Sequence, residues 1–353
     1  MKVSTLTIHL PKNYGNALQM LALQRYIKSL GHSTQLLSHW HLAHRQEILF
    51  WHLYWNKSII NKISFSLACL TWTGKFCAFY RERKILKWLN TYIDWSNEEG
   101  YGGTFPSNKI DTDAIVVGSD QIWNSGCHFV KFFMLPDFHD KIKKISYAAS
   151  FNSSAFPTED YDFYKTNFNK FQAISVREAS SVPLLQRQFG FKATLVCDPS
   201  LFFTKDEWKK ILNIKNRKTK PFNMCYIVSP KGQEYFNEII KIRKLTKKPL
   251  HVFAFDCTEI QIRGKNAIPE IAKTIIKRIR LFFSGVRLHF AADPTDFIQY
   301  INDCEGLFTD SFHGLMFATI FEKKCNAIVG QDKDRQQMKA KLIDVANPFG
   351  TPA

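Results

Sequence analysis

The residues best suited to chemistry in this chain stand where short apolar runs stop. Gly306-Leu307-Phe308-Thr309 ends in Asp310-Ser311, and Phe312-His313-Gly314-Leu315-Met316-Phe317-Ala318 follows. A strand end, an N-cap at Asp310 or Ser311 and an apolar helix would put His313 in a helix's first turn, with Ser311 and Gly314 beside it. Unpaired backbone N–H groups and the positive dipole end collect anions there, so a phosphate would settle at this turn. An imidazole beside that phosphate can bind it or protonate it as it departs, or it can merely cap or pack. Arg177 ends the run Ala173-Ile174-Ser175-Val176 and Glu178 follows it. Its planar fork suits carboxylate or phosphate, and a surface Arg–Glu pair is the alternative. Asp120 and Gln121 after Gly118-Ser119, and Asn13 and Asn16 around Gly15, are further polar groups at strand ends. Turn and cap hydrogen bonds explain those two clusters equally well.

The elements that must position these residues follow one grammar. Val3 to Leu10 reads as a strand, Pro11 to Asn16 as a turn cluster, and Met20, Leu23, Ile27 and Leu30 fall at helical spacing before Gly31. Residues 32–38 read as a second, parallel strand. Similar apolar runs follow at 114–117, 144–149 (ending in Ser150), 173–176 and 194–197, and again at 224–228, 251–255, 306–309 and 326–329. Continuous apolar strands between helical segments belong to a parallel sheet covered on both faces. Thr204 and Glu207 form a capping box opening a helix at Lys205. Between Ile214 and Pro221 the string Lys-Asn-Arg-Lys-Thr-Lys has nothing apolar to bury, which suits a linker. The expected fold is α/β, with two doubly wound Rossmann-like lobes facing a cleft. The first spans residues 1–214 with an aromatic, basic helical insertion at about 39–88, and the second spans 222–353.

Composition narrows the class. At 353 residues the chain is too long for one ordinary core, and 45% hydrophobic with 22% charged residues excludes wholesale disorder. Lysine and arginine number 48 against 31 acidic residues, a formal net charge of +17, so anionic partners are expected. The basic residues are spread without a nucleic-acid reading element, so no nucleic acid is expected. The eight cysteines show no C-x-x-C pair and read as reduced thiols. No signal-peptide core or span of about 20 apolar residues is present, so a cytoplasmic place is expected. P-loop, dinucleotide-fingerprint, zincin and esterase-elbow signatures are all absent from the sequence. His39, His41, His44 and His52 invite a metal reading, but no carboxylate stands within the cluster, and no metal is expected. Around them, residues 39–88 place Trp and Tyr among Lys and Arg. Two readings stay open and can coexist: helices packed on the first lobe, or a surface lying in an anionic lipid headgroup layer.

Six segments in order resemble the polysaccharide pyruvyl transferases. They are Asn13-Tyr14-Gly15 with Leu18-Gln19 and Ala22-Leu23; Val117 to Asn124; Ile145 to Phe151; Ser175-Val176-Arg177-Glu178; Asp198-Pro199-Ser200-Leu201; and Thr309 to Gly314. Gly-Ser-Asp-Gln-Ile-Trp-Asn and Asp-Ser-Phe-His-Gly are the most specific. The resemblance implies a GT-B-like fold and transfer of pyruvate from phosphoenolpyruvate onto two hydroxyls of a sugar, forming a cyclic ketal. It implies a role in capsular or exopolysaccharide synthesis, no redox cofactor, and donor binding and catalysis at His313 and Arg177, to which Asp120 at its strand end is added as a catalytic residue that positions the acceptor or deprotonates its hydroxyl. Ser311 and Gly314 would bind the donor. Branches of the family carry arginine where this chain has Ser311, and Arg335 is the other source of a phosphate contact. Asn13, Gly15, Asn16, Ser119, Gln121 and Ser150 would line the acceptor side of the cleft. The basic charge and the aromatic segment suggest a lipid-linked oligosaccharide acceptor at the inner face of an anionic membrane. The alternatives are a GT-B nucleotide-sugar glycosyltransferase, or a non-catalytic protein that binds glycans or a membrane surface.

Overall fold

The computed structural model describes residues 1–9, 13–38, 75–100, 104–124, 130–151, 160–228, 233–254 and 267–328. Twelve strands among them form two all-parallel sheets. The first contains β1 (Lys2–Leu6), β2 (Ser33–Ser38), β3 (Trp95–Glu99), β4 (Ala114–Val117), β5 (Lys143–Ala149), β6 (Phe171–Val176) and β7 (Thr194–Leu195), in the order β3-β2-β1-β4-β5-β6-β7. The second contains β8 (Asn223–Ile227), β9 (Leu250–Ala254), β10 (Val286–His289), β11 (Gly306–Thr309) and β12 (Lys324–Ala327), in the order β10-β9-β8-β11-β12. Each order reverses once, between β1 and β4 and between β8 and β11. Ligands in open α/β sheets bind outside the carboxyl ends of strands at such reversals, because the connecting helices diverge there and leave a crevice.

The expected first strand stops early. After Leu6 the carbonyl of that residue accepts from Gly118 N–H, and the Thr7 hydroxyl donates to Ser119 O at 2.9 Å, so the backbone turns from sheet ladder to loop. Helix α1 (Tyr14–Ser29) then begins sooner than its apolar spacing suggests, because the Asn13 side chain accepts the Gly15 and Asn16 N–H groups as an N-cap. Met20, Leu23 and Ile27 are buried as that spacing requires, but Leu30 is 56% exposed at the C-cap. Gly31 follows at φ +80, the left-handed conformation a helix end favours.

From Tyr14 to Gln24 every residue of α1 is buried, since this part of the helix sits between the lobes. Its Tyr14, Leu18 and Leu21 share one apolar cluster with Tyr226 of β8, with Phe297 of α8 (Pro294–Asp303) and with Phe317 of α9 (Phe312–Ile320). Tyr14 stacks on Phe297 with ring centroids 5.0 Å apart. Helix α2 (Lys75–Tyr92) closes the same junction. Its Ile85, Trp88 and Leu89 lie in that cluster, and Trp88 Nε1 donates to Thr295 Oγ1 at 2.7 Å. The described part of the aromatic insertion is therefore packed against both lobes. Residues 39–74, with the four clustered histidines, lie outside the described residues.

The remaining helices are α3 (Tyr161–Phe168), α4 (Ser181–Phe189), α5 (Lys205–Ile211), α6 (Gln233–Thr246) and α7 (Ala267–Phe283). The capping box at Thr204 and Glu207 is present and opens α5. Lys215 to Lys220 are exposed, with the Lys215 backbone held by the Gln299 side chain. β3 and β10 were not legible as strands. Trp95-Ser96-Asn97-Glu98-Glu99 and Val286-Arg287-Leu288-His289 lack continuous apolar character because both strands are sheet edges, with only one neighbour to cover them.

Several histidines are buried uncharged. Burial foremost pushes His9 down to about 4 against a hydrogen bond to Thr7 O that works the other way. Burial and the neighbouring His251 push His289 down to about 4. An unfolded imidazole takes up its proton near pH 6.5. In the window between these values the unfolded chain therefore binds protons that the folded one refuses. This stability is fully present above about pH 6.5 and is lost as the pH falls toward 4. Melting temperature is expected to drop steadily across that window, less steeply in His9→Gln; a flat profile would contradict the assignment.

Candidate active site

The carboxyl edge of the first sheet brings together residues far apart in sequence. Arg177 after β6 is buried and donates through Nη1 to Asp198 Oδ2 at 3.2 Å and through Nε to Glu178 Oε1 at 3.3 Å. Asp120 Oδ1, after β4, lies 3.9 Å from the same Nη1. The guanidinium carbon sits 4.3 Å from the Phe312 ring centroid, so one face of the fork is covered by the second lobe. The Arg177–Glu178 pair is thus a buried one rather than a surface one.

Asp198 is the hub. Its Oδ1 accepts from Ser200 N–H at 3.0 Å, and its Oδ2 lies 2.9 Å from Ser119 Oγ. That hydroxyl is also 3.0 Å from Gln19 Oε1, and its one proton serves one acceptor at a time. Gln19 Nε2 donates to Thr7 Oγ1 at 3.2 Å, which in turn donates to Ser119 O. The ring of contacts locks the loop after β1, the start of α1 and the loop after β4 into one unit. Asn16 Nδ2 completes it by donating to Asp120 Oδ2 at 3.1 Å.

The second lobe delivers the imidazole. Thr309 Oγ1 donates to Tyr226 O at 2.6 Å, and Asp310 Oδ1 accepts Val228 N–H at 2.7 Å, tying β8 to β11 at their reversal point. Ser311, not Asp310, is the N-cap of α9, accepting Gly314 N–H at 3.3 Å. His313 follows in the first turn and is only 4% exposed. Among the described residues its Nε2 has no hydrogen-bond partner, and it lies 3.9 Å from Asp198 Oδ2, beyond hydrogen-bonding range. A buried ring nitrogen left unpaired beside a carboxylate is available for a proton or a ligand oxygen.

Gly15 allows this approach. A Cβ there would lie 2.2 Å from His313 Cγ and 2.3 Å from its Cβ, atoms the helix holds in place. Gly15→Ala is therefore expected to push the imidazole off its position, and a displacement of about 1 Å costs on the order of a hundredfold in rate. Phosphate release at saturating substrate would register it; wild-type turnover in that variant would show that the contact is not needed.

The electrostatics are those of an anion surplus. Burial works to raise the Asp198 carboxyl, but His313, Arg177, Ser200 N–H and Ser119 outweigh it and hold it below the usual range. Burial foremost lowers His313, against the pull of Asp198 and Asp120, so the imidazole is neutral near pH 7. With His313 neutral, holding Asp198 ionised at that pH falls to Arg177 and the hydrogen bonds. Burial opposes the Arg177 charge, and Glu178, Asp198 and Asp120 more than restore it. Three carboxyl groups around one guanidinium leave a negative field, which favours a cation forming nearby. The N-termini of α1 and α9 meet at Gly15 and His313 and supply positive dipole ends beside it.

Of the residues singled out by sequence, His313, Arg177, Asp120, Asn16, Gly15 and Ser119 meet in this cluster. Asn13 caps α1, and Ser311 and Gly314 form the α9 cap. Ser150 is fully buried, with its backbone N–H bound to Asp120 O at 3.0 Å. Gln121 accepts from Asn124 Nδ2 at 3.1 Å in its own turn. Arg335 lies outside the described residues. Asp198 and Gln19 were quoted only within the family segments and given no role in the site. Asp198 carried a signal, since Asp-Pro after an apolar run marks a strand end, whereas Gln19 sits inside an apolar helix and reads as spacing. Among the described residues no set of three His, Cys, Asp or Glu side chains is placed to hold a metal ion.

Two doubly wound lobes joined at their strand reversals define a GT-B-like protein, and solved structures agree. UDP-GlcNAc 2-epimerase from Methanocaldococcus jannaschii aligns with 12% identity and TM-score 0.51 over 98% of this chain and 92% of that one. The S. aureus MnaA–UDP co-structure aligns with 12% identity and TM-score 0.51 over 99% and 92%. Identity this low speaks for the fold alone. No curated protein matches the chain in sequence. The profile of the polysaccharide pyruvyl transferases matches residues 13–331, and the chain belongs to that family. It is accordingly a transferase of polysaccharide biosynthesis acting on a sugar or polysaccharide. Among the described residues no helix is long and apolar enough to cross a membrane.

Proposed function

We propose that the protein moves pyruvate from phosphoenolpyruvate onto two hydroxyls of one sugar, closing a cyclic ketal, with a lipid-linked oligosaccharide of a capsular or exopolysaccharide pathway as acceptor. No redox cofactor takes part. The observation that carries this reading is the unpaired His313 Nε2 set against Asp198, Arg177 and Asp120 where the two lobes meet. An acid delivers a proton to the donor's methylene carbon, leaving a cation at C2 that the surplus of carboxylates stabilises. A sugar hydroxyl adds to C2 and gives up its proton. A second hydroxyl then displaces phosphate at C2, and its proton passes to the site or to the leaving group. The sum is phosphoenolpyruvate plus diol to ketal plus inorganic phosphate.

Asp120, the most accessible carboxylate of the cluster, is placed to position the acceptor and take its proton. His313 meets the phosphate as ligand or proton donor at the α9 N-terminus. Arg177 has its Nε and one Nη1 contact engaged by carboxylates, so it serves the donor while holding Asp198 and Glu178 in place. The acceptor would be met at the inner face of the cell membrane. Mass spectrometry of candidate lipid-linked oligosaccharides after incubation with phosphoenolpyruvate tests the reading. The expected product carries one added pyruvyl group with loss of water and releases one phosphate. Incorporation of a hexose from a nucleotide sugar, with no pyruvyl product, would replace it.

A further inference from the structure

Helix α7 presents an apolar face to solvent. Ile276 is 50% exposed, Ile279 49% and Phe283 83%, and with Ala272 they recur at intervals of four, three and four residues. At 3.6 residues per turn that is one stripe, on the side of the helix opposite the buried Leu281. A globular protein ordinarily turns such a stripe inward. Here the inward side is already served, because Leu281 packs with Phe236, Ile239 and Ile242 of α6 against β8, β9 and β10.

The two helices are neighbours. Both connect successive strands of the order β8-β9-β10 and so lie on one face of the second sheet. Lys277 Nζ sits 5.3 Å from the Phe236 ring centroid, linking α7 to α6 directly. On its outer side α6 adds Ile240, 40% exposed, and Leu245, 75% exposed. The cluster beneath contains no residue of the first lobe, so this face points away from the candidate active site. Between Asn237 and Thr246 and between Ala272 and Phe283 the chain carries seven lysines and arginines against one carboxylate, Glu238.

We propose that the outer face of α6 and α7 is a membrane-docking surface that lies in the headgroup layer of an anionic bilayer. Apolar side chains on a helix flanked by lysine and arginine match the boundary where acyl chains meet negative headgroups. A second copy of the chain fits poorly, because a two-fold contact would set this cationic face against itself. A polyanion without apolar surface would leave the stripe uncovered. The surface deepens the lipid-linked-acceptor reading, since docking brings the enzyme to the plane in which such an acceptor lies. Its test uses neither donor nor acceptor, so the two can fail separately.

The test is co-sedimentation of the full chain with vesicles rich in phosphatidylglycerol, beside pure phosphatidylcholine vesicles. The anionic vesicles are expected to bind the wild type and the zwitterionic ones to leave it in solution. Ile279→Ser/Phe283→Ser alters exposed side chains and keeps the fold, and it is expected to weaken binding by at least about tenfold. Lys273→Glu/Arg280→Glu is expected to do the same. Lys192→Glu/Lys210→Glu makes an equal charge change on exposed first-lobe positions and is expected to leave most binding intact. No binding to anionic vesicles, or equal loss in both charge variants, overturns the proposal. So does an Ile279→Ser/Phe283→Ser protein that binds vesicles unchanged while dissolving a dimer or losing an acidic protein partner.

Discussion

His313→Ala is expected to fold, with both sheets intact, and to lose phosphate release from phosphoenolpyruvate in the presence of acceptor by about 10²–10⁴-fold, the usual worth of a positioned acid or base. The side chain is buried, but its Nε2 makes no hydrogen bond that folding requires, so its removal leaves a small void and no orphaned partner. Circular dichroism and a thermal melt separate the two effects. The pH dependence adds a second readout. Burial keeps the imidazole neutral below its ordinary titration range. Activity that needs protonated His313 as the acid is therefore highest in solution more acid than pH 6.5 and falls as the pH rises toward neutrality. His313→Gln should lose that pH dependence along with turnover. Wild-type turnover in either variant would remove His313 from the reaction.

Asp198→Ala is expected to be the most destabilising single change at the site. It strips Arg177 of its shortest ion pair but leaves Glu178 and Asp120 as its counter-charges, so the loss stays below the about 3–5 kcal/mol of a buried pair left with one bare charge. Ser119 Oγ and Ser200 N–H lose an acceptor at the same stroke. Urea denaturation at pH 7 measures it. Because the Asp198 carboxyl is held below its ordinary value, its contribution is fully present above about pH 4 and is lost as the pH falls further. Wild type and variant should accordingly converge in stability in strong acid. Equal stability of Asp198→Ala and wild type would mean that the pair contributes nothing to the fold.

Where reading the chain failed, it failed for one reason. The Thr204 capping box and most of the parallel strands are properties of a few adjacent residues, and each was legible from residue type and spacing. The roles of Asp198 and Gln19 were not, although both stand in the family segments, because those roles lie in partners far along the chain: Ser119 is 79 residues from Asp198 and 100 from Gln19. Of the four edge strands, β3 and β10 escaped notice because a strand with one neighbour need not be apolar on both sides. The aromatic segment was read as packing on the first lobe or lying in a lipid headgroup layer, yet Trp88 is bonded to Thr295 in the second lobe. The exposed stripe on α7 gives no local sign either. Its apolar spacing resembles that of any buried helix face, and only packing shows which side the core has taken.

By itself the amino-acid sequence determined the alternation of strand and helix, the polar groups that end each strand, the caps that start the helices and the family, all of them set by short-range sterics, hydrogen bonding and burial pattern. The tertiary structure decided the rest. Strand order put β1 beside β4 and β8 beside β11, and packing of α1 against α8 and α9 brought the two reversal points together around Asp198. Those distances arise from which surfaces bury one another, a property of the whole chain that no local pattern encodes.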